Sequence, residues 1–247
     1  MRNLTAIPVY NEERTVGPVL ERVLAAGQEV LVVDDGSTDG TPVVLGRHPR
    51  AVSVRHAKNR GYGASLQTAF TYAAQHGYDV VTTLDADGQH DPSLIPEFVA
   101  ACAEADIVSG SRYLREFATD TPAPSDRRRI NMLLTDQINA LLGLNLTDSF
   151  CGFKSHRVDA LKRLRLTEEG YAFPMEFWVQ AACKSLRVIE RAVPRIYLDP
   201  NRSFGETLDD ADRRLAYYQL VLDKALATAR RTTGCGLQTA RSASDAP

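Results

Sequence analysis

No apolar run in this 247-residue sequence approaches the roughly 20 residues that cross a bilayer. Its absence predicts a soluble protein, or one attached to a membrane only at its surface. Charge of one sign is also scarce in excess: the formal net charge is −2, which gives no electrostatic case for nucleic-acid binding. Cysteine is sparse, with four residues at 102, 151, 183 and 235 and no C-x-x-C spacing. That pattern suits free thiols in a reducing cytoplasm better than a disulfide framework. The five histidines show no zinc-like spacing. There is no G-K-[ST] phosphate loop and no G-x-S-x-G nucleophile turn, which removes two large enzyme classes. No internal repeat is visible. The first residues, Met1 to Thr5, read as entering structure at once, so no secretory leader is expected.

What is present is an alternation of short apolar runs and amphipathic segments. Strands are expected at residues 4–10, 29–33, 51–55, 79–84 and 105–109, with helices between them. The first helix is expected to open at Asn11-Glu12-Glu13-Arg14 and to bury Val16, Val19, Leu20, Val23 and Leu24. Val30 to Val33 are four consecutive apolar residues, which predicts a strand buried on both faces and hence a parallel sheet between helix layers. Such an alternation argues for a doubly wound α/β fold with its ligands at the carboxyl ends of the strands. The second half is less regular. A loop at 115–126 precedes a helix that opens at Arg127-Arg128-Arg129 and runs to about Leu142. A helix is expected near Val158–Leu164, another from Pro174, and short strands at 187–190 and 193–198. The last helix carries Leu208, Ala211, Leu215, Tyr218, Leu222, Leu226 and Ala229 on one stripe. Residues 1–231 read as a single domain and 232–247 as a disordered tail.

Polar motifs fall where the strands stop. Asp85-Ala86-Asp87-Gly88-Gln89-His90 follows an apolar run, and in extended backbone Asp85 and Asp87 point to one side. Two carboxylates that close repel unless a cation lies between them, and Mg²⁺ or Mn²⁺ prefers such oxygen ligands. Alone, the pattern also suits a solvated turn. Asp34-Asp35-Gly36-Ser37 occupies the same position after an earlier strand. It can serve as a helix cap or as an acceptor for a nucleobase. Asn59-Arg60-Gly61-Tyr62-Gly63 resembles part of a dinucleotide fingerprint, but Leu66 stands at the third glycine. Three arginines at a helix start oppose the helix dipole, which favours an anion site there. Arg112 and Arg202 also follow strands. Glu176 lies in an apolar segment and requires a partner, an arginine or a sugar hydroxyl. His90 reads as supporting the acidic pair rather than joining it.

In order, Pro8-Val9-Tyr10-Asn11-Glu12, Asp34 to Thr41, Asn59 to Gly63, Asp85 to Pro92, Ser109 to Tyr113 and Met175-Glu176 form a set whose combination is specific. The chain from about residue 4 to 206 resembles a family 2 glycosyltransferase of the GT-A fold, in particular the dolichyl- or polyprenyl-phosphate mannose synthases. The resemblance implies a doubly wound, mainly parallel sheet flanked by helices, with further helices at the C-terminus. It implies a nucleoside-diphosphate sugar as donor, GDP-mannose or a UDP-sugar, with Pro8, Tyr10, Glu12, Val33 and Asp35 at the base and ribose. Asp85 and Ala86 belong to the same nucleotide-sugar site. Asp85, Asp87 and Gln89 would surround a divalent cation, Mg²⁺ or Mn²⁺. Arg112 and Arg202 would line the phosphates, Arg128 the phosphate of a lipid acceptor, and Asp148 would be the base for a hydroxyl acceptor. The implied location is cytoplasmic, with peripheral membrane contact.

Two departures concern the acceptor. Relatives often carry R-x-x-G-x-S-K near the C-terminus, where this chain has Leu208 at the lysine position. A serine–arginine pair expected after Arg128 is Met132-Leu133. The alternative reading is therefore a family 2 transferase that uses a UDP-sugar and a soluble or hydroxyl acceptor.

Overall fold

The computed structural model describes residues 1–198, 205–231 and 235. Seven strands form one sheet: β1 (Asn3–Val9), β2 (Glu29–Asp34), β3 (Val52–Arg55), β4 (Val80–Thr83), β5 (Ile107–Ser111), β6 (Lys154–Arg157) and β7 (Val188–Ala192). Their spatial order is β3-β2-β1-β4-β6-β5-β7. All pairings are parallel except those of β6, which runs antiparallel to both β4 and β5. The helices are α1 (Val16–Ala25), α2 (Thr41–Gly46), α3 (Tyr62–Gln75), α4 (Ile95–Ala101), α5 (Ser125–Leu142), α6 (Val158–Leu161), α7 (Phe173–Cys183), α8 (Glu206–Asp209) and α9 (Ala211–Arg231).

The apolar run in β2 is explained by its two neighbours. Leu31 and Val33 enter the core that holds Leu66 and Phe70 of α3, Leu134 of α5, Trp178 of α7 and Leu222 of α9. Val30 and Val32 enter the opposite core with Val16 and Leu20 of α1 and Phe98 of α4. Successive side chains thus serve opposite layers, as the period of a strand requires. The stripe on α9 behaves similarly: Tyr218, Leu222, Leu226 and Ala229 are buried, while Leu208 belongs to α8.

Four sequence expectations are corrected. Helix α1 starts at Val16 rather than Asn11, because residues 11–13 are bound to the turn after β2. Asn11 takes φ 55°, its Oδ1 accepts the Thr38 N–H at 2.8 Å, and the Glu12 N–H donates to Thr41 Oγ1 at 2.8 Å. The sequence predicts no strand at β6, since Lys-Ser-His-Arg carries no apolar signal. Its backbone is nevertheless inserted at the sheet centre, with Ser155 Oγ 2.6 Å from Thr82 Oγ1. Residues 193–198 form no strand among the described residues; they bond to the 117–121 loop, Thr121 N–H to Arg195 O at 2.8 Å. Finally, Cys183 and Cys235 are joined as a disulfide across 52 residues, which overturns the free-thiol expectation for that pair. Cys102 and Cys151 are free and buried. Of the expected tail beyond Arg231, only Cys235 lies within the described residues.

Candidate active site

The strand order reverses between β1 and β4, since β2 lies on one side of β1 and β4 continues on the other. In open α/β sheets the crevice beyond such a point binds ligands. A cleft of about 270 Å³ opens there, lined by the segments that leave β1, β2 and β4. Its lining includes Pro8, Tyr10, Glu12 and Asp35, then Asp85, Ala86, Asp87 and Gln89, and the arginines Arg112, Arg127 and Arg214. Acidic groups and arginines therefore share a single crevice.

Asp35 is held by the start of α3. Its Oδ2 accepts the Gly61 N–H at 2.7 Å, and Oδ1 accepts the Arg60 N–H at 2.9 Å and lies 2.6 Å from His56 Nδ1. His56 had no role in the sequence reading; its ring links Asp35 to Thr68 on α3, with Nε2 2.9 Å from Thr68 Oγ1. The glycines of Asn59-Arg60-Gly61-Tyr62-Gly63 act by close packing. A Cβ at Gly61 would stand 2.3 Å from Glu169 O, and one at Gly63 would stand 2.3 Å from Glu168 O. Residues 167–170 lie across the first turn of α3, where Glu169 O accepts the Ala64 N–H at 3.0 Å. Glu176 secures this segment: it accepts from the N–H groups of Thr167 and Glu168, both at 2.7 Å, and from Thr167 Oγ1 at 2.9 Å. It also accepts from Gln180 Nε2 of its own helix at 3.1 Å, so its partners are a loop and a glutamine rather than an arginine.

The acidic pair is pre-arranged. Tyr62 OH donates to Asp85 Oδ1 at 3.3 Å, and the Asp85 N–H donates to His90 Nδ1 at 3.1 Å. His90 thus supports Asp85 as expected for its residue type. Asp87 Oδ1 accepts the Gln89 N–H at 3.0 Å. Gly152, in the turn before β6, leaves room for Asp85; a Cβ there would come within 2.4 Å of Asp85 Oδ2. Among the described residues no cluster of three or more His, Cys, Asp or Glu could hold a metal alone. Two carboxylates and an amide oxygen nevertheless fit Mg²⁺ or Mn²⁺, which take few protein ligands and fill the remainder with phosphate oxygens and water.

Arg112 follows β5 and makes a bidentate pair with Asp148, Nε to Oδ2 at 2.7 Å and Nη2 to Oδ1 at 2.9 Å. Asp148 also accepts from Asn131 Nδ2 at 2.7 Å and from the Phe150 N–H at 3.2 Å. Burial would push the Asp148 carboxyl up, but Arg112 and then Asn131 outweigh it and hold it below the usual carboxylate range. Asp148 is fully buried and does not line the cleft. Where the resemblance implies a base, this geometry shows a carboxylate engaged with Arg112, which it anchors. Val33 is likewise a core side chain and not part of the cleft wall. Arg128 stacks on Tyr113, 3.7 Å from guanidinium to ring centre, while its neighbour Arg127 lines the cleft. Arg202 lies outside the described residues. Tyr171, Asn131 and Arg214 also line the cleft, although their sequence contexts suggest only helix or loop surface.

The fold is that of the GT-A glycosyltransferases. The pattern of Glycosyl transferase family 2 matches residues 5–165. The chain is 34% identical over 216 residues to an undecaprenyl-phosphate mannosyltransferase from Micrococcus luteus, covering 84% of this chain and 87% of the relative. It is 32% identical over 200 residues to a polyprenol monophosphomannose synthase from Mycolicibacterium smegmatis, covering 76% and 75%. Its fold is similar to the crystal structure of glucosyl-3-phosphoglycerate synthase from Mycobacterium tuberculosis, with a TM-score of 0.69 at 18% identity, over 96% of this chain and 81% of the other. The chain belongs to glycosyl transferase family 2 and is a glycosyltransferase. Among the described residues no helix is long and apolar enough to cross a membrane.

Proposed function

We propose that this enzyme moves a hexose, with mannose the first candidate, from a nucleoside-diphosphate sugar to a polyprenyl phosphate. The observation that carries this reading is the polarity of the cleft. Carboxylates at the ends of β2 and β4 share its wall with Arg112, Arg127 and Arg214 and with Tyr62, Phe150, Tyr171 and Tyr218. The carboxylates suit a base and ribose together with a cation-bound diphosphate. The arginines suit a phosphate, and the aromatic rings suit the first carbons of an isoprenyl chain. One relative named above is an undecaprenyl-phosphate mannosyltransferase and another a polyprenol monophosphomannose synthase.

The reaction is a single displacement with inversion. An oxygen of the acceptor phosphate forms a bond to the anomeric carbon as the bond from that carbon to the diphosphate breaks. Asp85, Asp87 and Gln89 would hold a divalent cation, which supplies positive charge at the departing diphosphate. Arg112 is kept charged and oriented by Asp148, so it needs no reorganisation when charge develops beside it. A phosphate acceptor is already an anion and needs no strong base, in keeping with the engagement of Asp148. Incubation with radiolabelled GDP-mannose, Mn²⁺ and a short polyprenyl phosphate is expected to place label in the organic-extractable fraction. Label confined to the aqueous phase would refute the acceptor and favour the hydroxyl-acceptor reading.

A further inference from the structure

Helix α5 carries Arg127, Arg128 and Arg129 in its first turns, where the dipole disfavours cations. The one acidic residue of that first turn is Asp126. It is paired with Arg214 of α9, a side chain only 3% exposed. The same guanidinium donates through Nη1 to Leu208 O at 2.6 Å and, more weakly, to Asp209 O at 3.4 Å. These carbonyls stand at the end of α8. One buried cation therefore fastens three pieces together: the start of α5, the end of α8 and the body of α9. Both Arg127 and Arg214 line the cleft and act on Tyr218, whose hydroxyl is pushed up to about 12 by burial against their opposing charge.

We propose that Arg214 is a positioning residue for the acceptor: through Asp126 it fixes the first turn of α5, and so the placement of Arg127 in the cleft wall. The inference rests on the acceptor-phosphate reading given above. It also accounts for how the cleft retains a cationic wall although Leu208 and Met132-Leu133 stand where relatives carry polar or basic groups. Burial would raise the Asp126 carboxyl, but Arg214 holds it low, so it remains an anion at the helix start and offsets the dipole conflict.

The test is steady-state kinetics of the full chain with GDP-mannose and a polyprenyl phosphate. Arg214→Gln is expected to raise the acceptor KM about tenfold or more, the scale of one lost charge-assisted contact, and to leave the donor KM within about twofold. Arg214→Lys should recover part of the loss. Asp126→Asn breaks the same pair from a more exposed side chain and should reproduce the effect, even where the buried substitution impairs folding. The double variant should be no worse than either single one. Equal changes in both KM values, loss of thermal stability alone, or additive effects of the two substitutions would each overturn the proposal. A wild-type enzyme that gives no organic-extractable product would defeat the acceptor reading itself. Wild-type transfer with unaltered variants would defeat only the role of Arg214.

Discussion

Asp148→Asn keeps the shape of the side chain and removes its charge, leaving Arg112 as a buried cation without an anion. The magnitude follows from the geometry. The pair is bidentate at 2.7 and 2.9 Å, and Asp148 has no solvent contact. Charges about 4 Å apart interact by about 4 kcal/mol at an effective dielectric constant near 20. An amide oxygen retains some of the hydrogen bonds, but breaking one side of a buried pair generally costs about 3–5 kcal/mol. Urea unfolding should therefore show stability reduced by about 3–5 kcal/mol with an unchanged slope. The pH dependence has a defined sign. The folded carboxyl titrates below its usual value of about 4, so its contribution is complete above that pH and is lost as pH falls through the lower folded value. The gap between wild type and variant should accordingly be flat from neutral pH to about 5 and close below about 4. Turnover should fall as well, through disorientation of Arg112. A variant as stable as wild type with turnover abolished would refute the anchor and restore Asp148 as a base.

Asp87→Ala should lower turnover by about 100-fold or more at saturating Mn²⁺, and chelation of the wild type should do the same reversibly; full activity in either case would remove the proposed cation site. Gly152→Ala forces a methyl group against Asp85 and should reduce turnover on the order of 100-fold, with a crystal structure expected to show the carboxylate displaced. His156 is buried beside Lys154 and held neutral, its value lowered to about 3 chiefly by burial. The unfolded chain therefore binds a proton that the folded one refuses, and stability should fall on acidification from about pH 6.5 by up to about 1.4 kcal/mol per unit. His156→Gln should flatten that dependence in urea titrations at pH 6.5 and 4.5; an unchanged slope would contradict it. Reduction of Cys183–Cys235, or Cys235→Ser, should cost about 2–4 kcal/mol of unfolding free energy, measured by thermal melting with and without reductant.

The legible parts of this molecule were those with a local period or a dense local motif. Val30 to Val33 announced a strand covered on both faces, and Asp85-Ala86-Asp87 announced paired carboxylates at a strand end. β6 was invisible because its stabilisation is tertiary: Ser155 and His156 are buried by neighbouring strands and aromatic rings rather than by any apolar pattern of their own. The reach of Asp148 to Arg112 and of Arg214 to Asp126 spans 36 and 88 residues, beyond the range of spacing arguments. The disulfide escaped for the same reason, since neither cysteine has a partner at a diagnostic interval. Glu176 needs partners, as its apolar setting predicts, but two of them are backbone N–H groups, which any sequence can supply.

The antiparallel strand at the sheet centre carries a consequence for biogenesis. β4 and β5 do not pair with each other; each pairs with β6, which emerges only after residue 153 has been made. A nascent chain ending after Ser111 would hold β4 as a raw edge with unpaired backbone groups, directly beside the future Asp85 site. Productive closure waits for a segment made more than forty residues later, and loop-closure entropy delays such long-range pairing. Truncated or stalled chains of this protein should therefore be conspicuously prone to edge-to-edge association, and binding of a chaperone to the growing chain should persist until Lys154–Arg157 has cleared the ribosome.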